Sequence, residues 1–219
     1  MRLRSLAGTI LLVIFSLGIV NAASAALPEV LVEKGKLPVK FEGSGNSGAT
    51  RIETTGGVLI LCKVLKMSGE FTSAHAGTYK LNIEGCVGPG GVECHTTADA
   101  KGVMLVPGEF HLVRIALAPV KAAMLLLLSK INSTCLGEFG THEGKGLVVP
   151  ITPINKFTTA YELSAKMVKM GVQEFTSYYN EAGTLVSNAF LELTTTGTQF
   201  GMEVSPIKLT METAVEIVA

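Results

Sequence analysis

The sequence predicts an all-β fold, an antiparallel sandwich or barrel of about ten to thirteen strands stapled by disulfides. Three observations carry that reading. From Arg51 onward apolar residues recur with a period of two, the spacing of strands that bury one face. Segments rich in Gly and Pro punctuate these runs at the intervals expected of sandwiches and barrels. Four cysteines follow an export-type leader, and an even number of thiols in an oxidising compartment reads as two disulfides.

Composition sets the bounds. With 219 residues, 47% of them hydrophobic, the chain can bury one large core or two small ones. Lys+Arg and Asp+Glu stand at 18 each, so there is no basic field to draw nucleic acid. Residues 1–25 read as a signal peptide: Arg2 and Arg4 open it, Leu6–Val20 is an uncharged apolar run, and Ala23-Ser24-Ala25 gives the small-x-small cleavage pattern. The apolar run is shorter than the roughly 20 residues that span a bilayer, so no stable span is expected in the mature chain. The expectation is secretion, or residence in the cell envelope, after cleavage near Ala25, with residues 26–219 forming one exported domain. Pro119 marks a candidate sub-boundary within it.

The cysteines are Cys62, Cys86, Cys94 and Cys135. Four thiols allow three pairings. Cys86–Cys94 is favoured, because Gly88-Pro89-Gly90-Gly91 is a tight reversal that brings its flanks together. Cys62–Cys135 then closes a long loop and ties the two sides of Pro119 into one unit. A zinc site built from these cysteines with His95 lacks a Cys-x-x-Cys pair and sits in the wrong compartment.

Taken in order, residues 26–56 are turn-rich, with short extended pieces at Val30–Glu33 and Val39–Glu42. Gly43–Gly48 lacks the Gly-Lys-Ser/Thr ending of a phosphate cradle. Val58–Leu65 is apolar on both faces up to Lys63 and predicts a central, doubly covered strand. In Thr78–Gly85, Tyr79, Leu81 and Ile83 alternate with Lys80, Asn82 and Glu84, the mark of a half-exposed strand. Val103–Val106 and Glu109–Leu117 read as a hairpin turning at Pro107-Gly108. Met124–Leu128, apolar throughout, reads as a buried strand. Pro150 and Pro153 make the end of Gly146–Ile151 awkward for a central strand. Tyr161, Leu163 and Ala165 share one face of the next run, and Leu185–Leu193 is extended. The last strand is the clearest: Ile207, Leu209, Met211, Val215 and Ile217 all fall on one side.

Ile60-Leu61-Cys62-Lys63, Gly85-Cys86, Glu93-Cys94 and Thr134-Cys135 resemble the cysteine framework of a group of exported, β-rich, four-cysteine actinobacterial proteins of unassigned function. Thr152–Thr159 and the following strand to Gln173 resemble the same group, so the likeness runs over residues 40–219. His95-Thr96-Thr97 departs from the Ser-Pro-Gly turn common there. The resemblance implies an exported all-β domain and brings no catalytic residues with it.

No motif carries chemistry. The histidines are His75, His95, His111 and His142, and His142-Glu143 lacks the second histidine of a zinc-hydrolase pair. His95, Asp99 and Ser129 or Ser133 compose a triad on paper, yet no serine sits in Gly-x-Ser-x-Gly. Asp99 is the sole aspartate, which removes the usual calcium loops. Trp is absent, and Tyr178-Tyr179, neighbours on a strand, point to opposite faces and make a poor sugar platform. No catalytic, cofactor or metal residue is assigned. The expected role is a non-catalytic exported or envelope domain that presents a binding or structural surface to an unknown partner. The alternatives are a barrel that carries an apolar small molecule and an uncharacterised secreted hydrolase.

Overall fold

A computed structural model of the chain describes residues 26–45, 50–141 and 146–219; the leader expected at residues 1–25 lies outside them. The architecture is all-β. Eight strands form a closed antiparallel barrel: β2 (Val39–Gly45), β5 (Val64–Phe71), β6 (Ala76–Glu84), β7 (Val103–Leu117), β8 (Val120–Leu128), β11 (Leu147–Thr152), β12 (Thr158–Ala165) and β18 (Gln199–Val218). Each pairs with the next in chain order, and β18 closes the ring by pairing with both β12 and β2. Of the two architectures compatible with the sequence, the molecule is the barrel.

An up-and-down barrel places alternate connections at opposite ends. The three connections at one end are short. All four at the other end carry insertions: β3 (Thr50–Thr54) with β4 (Leu59–Cys62), the 85–102 loop, β9 (Ile131–Ser133) with β10 (Gly137–Gly140), and residues 166–198, which include β17 (Leu191–Leu193). The insertions assemble on the first residues of β18 into a second sheet ordered β4-β3-β18-β17-β10-β9. Its apolar face, with Ile52, Phe139, Leu191, Phe200 and Met202, covers that mouth of the barrel. Phe139 and Phe200 meet edge to face at 5.6 Å, a favourable ring geometry.

The opposite mouth is filled by aromatics. Phe41, Phe71 and Phe110 are at most 2% exposed, with ring centroids 5.0–5.9 Å apart. Such a plug needs room on the neighbouring strands. Gly77 stands directly across from Phe110, and a Cβ there would lie 2.5 Å from the ring. Between plug and cap, Leu65, Met67, Leu81, Ile83, Met104, Leu112, Met124 and Leu163 fill the barrel.

The structure revises several sequence expectations. Among the described residues there are eighteen strands, more than the ten to thirteen expected, because short insertion strands leave weak periodic signals. Pro107-Gly108 is not a turn: β7 runs straight through it, with Lys80 opposite Pro107 and Tyr79 opposite Gly108. Gly108 is required by close approach, since a Cβ would stand 2.6 Å from the Tyr79 hydroxyl. Val58–Leu65 divides at Lys63, where the chain leaves the cap sheet for the barrel, and Leu61 on β4 is 45% exposed. Leu185–Leu193 divides at Asn188, which takes a left-handed φ of 64°, a conformation Asn tolerates better than most residues. Pro119, the candidate sub-boundary, lies in the turn between the paired neighbours β7 and β8.

The cysteine pairing is also corrected. Both disulfides form, but as Cys62–Cys86 and Cys94–Cys135, not as Cys86–Cys94 and Cys62–Cys135. The reversal at Gly88–Gly91 is real, and the Cys94 amide donates to the Cys86 carbonyl at 2.9 Å. Register decides the partners. In the β5–β6 hairpin Val64 lies opposite Glu84, so two further residues along each strand bring Cys62 opposite Cys86, with Cα atoms 4.0 Å apart. Cys94 is then left to reach the β9–β10 insertion and Cys135. The two links span 24 and 41 residues and stabilise by roughly 3.5 and 4 kcal/mol in the chain-entropy model. Both clip the insertions to the capped mouth.

Peptide mapping under non-reducing conditions is expected to recover Cys62 linked to Cys86 and Cys94 linked to Cys135; a Cys86–Cys94 peptide would contradict the register. Phe110→Ala should lower the unfolding free energy by about 3–5 kcal/mol, measured by denaturant titration, while Thr78→Ala on the outer face of β6 should change it by under about 0.5 kcal/mol. A third outcome concerns alkali. Tyr161 is buried and donates to the Val215 carbonyl at 2.7 Å; burial, helped by the charge of Glu216, pushes its hydroxyl up to about 12. Because the folded value lies above the unfolded one, near 10, the contribution is complete below that pH and is lost as pH rises towards 12. Stability should fall across that window, and Tyr161→Phe should reduce the slope by up to one proton.

Candidate recognition surface

Among the described residues the barrel interior is filled by side chains. Between barrel and cap lies a cavity of about 20 Å³ with an apolar lining that includes Leu81, Met104, Leu126 and Phe200. That is about one water's worth of room, far below the roughly 300 Å³ at which small-molecule pockets begin. The closed eight-stranded barrel that a carrier would need is present, but its centre is packed with side chains and leaves no space for a lipid.

The outer wall divides in two. On β7, β8 and β11 the outward side chains are themselves apolar: Val113, Ala123, Leu125 and Val148. They are covered by residues 174–190, which include β15 (Ser177–Tyr179) and β16 (Leu185–Ser187) and lay Tyr178 and Ala189 on them. Met124–Leu128 is apolar on both faces for this reason: one face lines the barrel and the other lies under the strap. Tyr178 is buried while Tyr179 points away, as strand alternation demands; burial raises the Tyr178 hydroxyl above its ordinary value.

Across β18, β2, β5, β6 and β7 the outer wall is uncovered and polar. Its twisted surface is concave, a groove of about 780 Å³. Two cross-strand rows form its floor. The first runs Lys208, Ser44, Lys66, Asn82, Leu105, each directly opposite the next; the second runs Thr210, Glu42, Ser68, Lys80, Pro107. With strands about 4.8 Å apart, Lys66 and Lys208 flank Ser44 at roughly 10 Å, and Lys80 stands diagonal to Lys66. Three ammonium groups thus surround a hydroxyl-bearing floor whose lining holds one carboxylate, Glu42.

Further carboxylates stand at the margins, among them Glu70 and Glu109 in the adjacent row, which runs Lys40, Glu70, Thr78, Glu109. Glu84 accepts from Lys66 Nζ at 3.2 Å and from Asn82 Nδ2 at 2.9 Å, and Glu162 lies opposite Lys208 on β12. The side chains of Lys80 and Lys208 make no ion pair among the described residues. Asn82 Oδ1 is buried and has no hydrogen-bond partner there, an unusual condition for a buried acceptor.

His95, Asp99 and Ser133 share one neighbourhood, because Thr96 pairs with Ser133 and the Asp99 amide donates to the Thr96 carbonyl at 2.9 Å, but among the described residues no hydrogen bond joins their side chains to one another. Each side chain is bonded elsewhere: His95 Nδ1 faces Thr134 Oγ1 at 3.5 Å, Asp99 accepts from Thr96 Oγ1, and Ser133 Oγ accepts from the Leu136 amide at 3.1 Å. His75 Nδ1 meets the Pro28 carbonyl at 2.9 Å, His111 is exposed on β7, and His142 lies outside the described residues. All four cysteines are disulfide-bonded. No group of His, Cys, Asp and Glu among the described residues is arranged to hold a metal. Lys66, Lys80 and Lys208 come together only through β-register, which single-strand patterns do not reveal. Alternation does put each of them outside, and that was the available signal.

Comparison with known proteins finds no family model that matches this chain and no curated protein or solved structure that resembles it.

Proposed function

We propose that the chain is an exported, non-catalytic domain of the secreted or cell-envelope kind, and that its uncovered polar groove is a recognition surface. The single observation behind this reading is the contrast between the two halves of the outer wall. One half is apolar and roofed by the chain's own strap; the other is polar, concave and open, and carries Lys66, Lys80 and Lys208 on adjacent rigid strands. Sites built on strands hold their geometry better than sites on loops. Apolar groups inside and polar groups on this wall are the reverse of a lipid-facing barrel, and no helix of the described residues is long and apolar enough to cross a membrane. Two disulfides suit an oxidising compartment, in line with the leader read at residues 1–25. The filled barrel favours a surface role over a carrier, and His95, Asp99 and Ser133, though neighbours, each hydrogen-bond to other groups, which favours a non-catalytic reading.

The test has two arms. Fractionation of cells producing the full chain should place it outside the cytoplasm, beginning at Ala26. The purified domain should sediment with isolated envelopes of its source cell, and Lys66→Glu/Lys80→Glu/Lys208→Glu should abolish this while Lys166→Glu does not. A cytoplasmic protein beginning at Met1, or envelope binding indifferent to the triple substitution, would overturn the reading.

A further inference from the structure

We propose that the four cysteines form a thiol–disulfide relay: a dithiol reductant opens Cys94–Cys135, and Cys94 passes the opening on to Cys62–Cys86. The observation behind it is a single cross-strand row of cysteines. Leu61 bridges Val87, Val87 bridges Glu93, and Thr96 bridges Ser133, all antiparallel. One step along the first two ladders sets Cys62 opposite Cys86 and Cys86 opposite Cys94. Two steps along the third set Cys94 opposite Cys135. The outer pairs are the disulfides, with Cα atoms 4.0 and 5.4 Å apart. The middle pair shares only a backbone bond, from the Cys94 amide to the Cys86 carbonyl at 2.9 Å. Opposed residues joined in that way lie about 5.5 Å apart between Cα atoms, inside the range a disulfide spans. Opposed side chains leave their strands on one face, so the row runs straight across four segments of the cap.

Place in the row decides the chemistry. A thiolate attacks a disulfide in line with the bond that breaks, through a mixed disulfide. Cys94 stands on the far side of Cys86 from Cys62, which is the direction that such an attack requires. Cys135 ends the row, and it is partly exposed while Cys62, Cys86 and Cys94 are buried. Its bond to Cys94 is covered by a residue without a side chain: a Cβ on Gly88 would stand 2.9 Å from Cys94 Sγ and 3.0 Å from Cys135 Sγ. Thiols therefore enter at Cys135. The reductant's thiolate attacks Cys135 Sγ, forms a mixed disulfide there and releases Cys94 as a thiolate. Cys94 attacks Cys86 Sγ; the Cys86–Cys94 bond forms, the Cys62–Cys86 bond breaks, and Cys62 takes up a proton. The reductant's second thiol then resolves the mixed disulfide and returns Cys135 as a thiol. One dithiol is oxidised, one disulfide is lost, and the remaining one closes the Gly88–Gly91 reversal. A single event thus unclips the 85–102 loop from both β4 and the β9–β10 insertion.

The folded, oxidised protein is treated with one equivalent of dithiothreitol, trapped with N-ethylmaleimide and mapped without further reduction. The singly reduced species should yield a Cys86–Cys94 peptide, absent before treatment, with Cys62 and Cys135 carrying the label. Singly reduced protein that keeps Cys62–Cys86 or Cys94–Cys135, with no Cys86–Cys94 peptide, would overturn the relay. In Cys94→Ser/Cys135→Ser, held well below its melting transition, Cys62–Cys86 should be reduced at least about tenfold more slowly than in the native protein, because its intramolecular attacker is gone. A rate equal to the native one would overturn the relay as well. The mapping of the native protein decides the matter without any variant.

Discussion

The closure of the barrel depends on one strand, β18. Its 20 residues begin in the cap sheet between β3 and β17, continue in the barrel between β2 and β12, and end beside β1 (Glu29–Val32). Without it β2 and β12 would be free sheet edges, and such edges invite pairing with other chains. Its alternation is strict over the barrel span: Ile207, Leu209 and Met211 are buried while Lys208, Thr210 and Glu212 are exposed. The strand that completes the core therefore also completes the outer groove. The core and the groove depend on the same register, since a slip of one residue would bury Lys208 and expose Leu209.

Closure then dictates where function can sit. An eight-stranded barrel is just wide enough for side chains to fill, and here they do, between a phenylalanine plug and a cap clipped by two disulfides. Insertions gather at one mouth, and the longest of them sends a strap down one side of the barrel. What stays open is the opposite wall. Each step follows from the one before: long insertions at one end, disulfides to hold them, one wall roofed and the other wet.

Much of the fold was legible in the residues because period two is a property of single strands. The barrel's inner faces at Tyr79–Ile83, Tyr161–Ala165 and Ile207–Ile217 lie where alternation puts them. What was not legible is register, which belongs to pairs of strands. The cysteines show this most clearly: the turn at Gly88–Gly91 is present, yet partner choice follows the β5–β6 register, which sets Cys62 opposite Cys86. Pro107-Gly108 failed for a related reason. That dipeptide is a common turn signal, but the Tyr79 ring and the adjacent Leu127 carbonyl leave room for nothing larger than glycine. The groove lysines were individually foreseeable as outward-facing and collectively invisible.

Amide hydrogen exchange along β18 bears most directly on this account. Closure predicts that the amides of Ile207–Met211 exchange by global unfolding, as slowly as those at the centre of β6, because neighbours hold them on both sides. Rapid exchange there beside full protection of β5–β8 would mean an open sheet with a loose last strand, and the barrel, its filled interior and the groove would fall together.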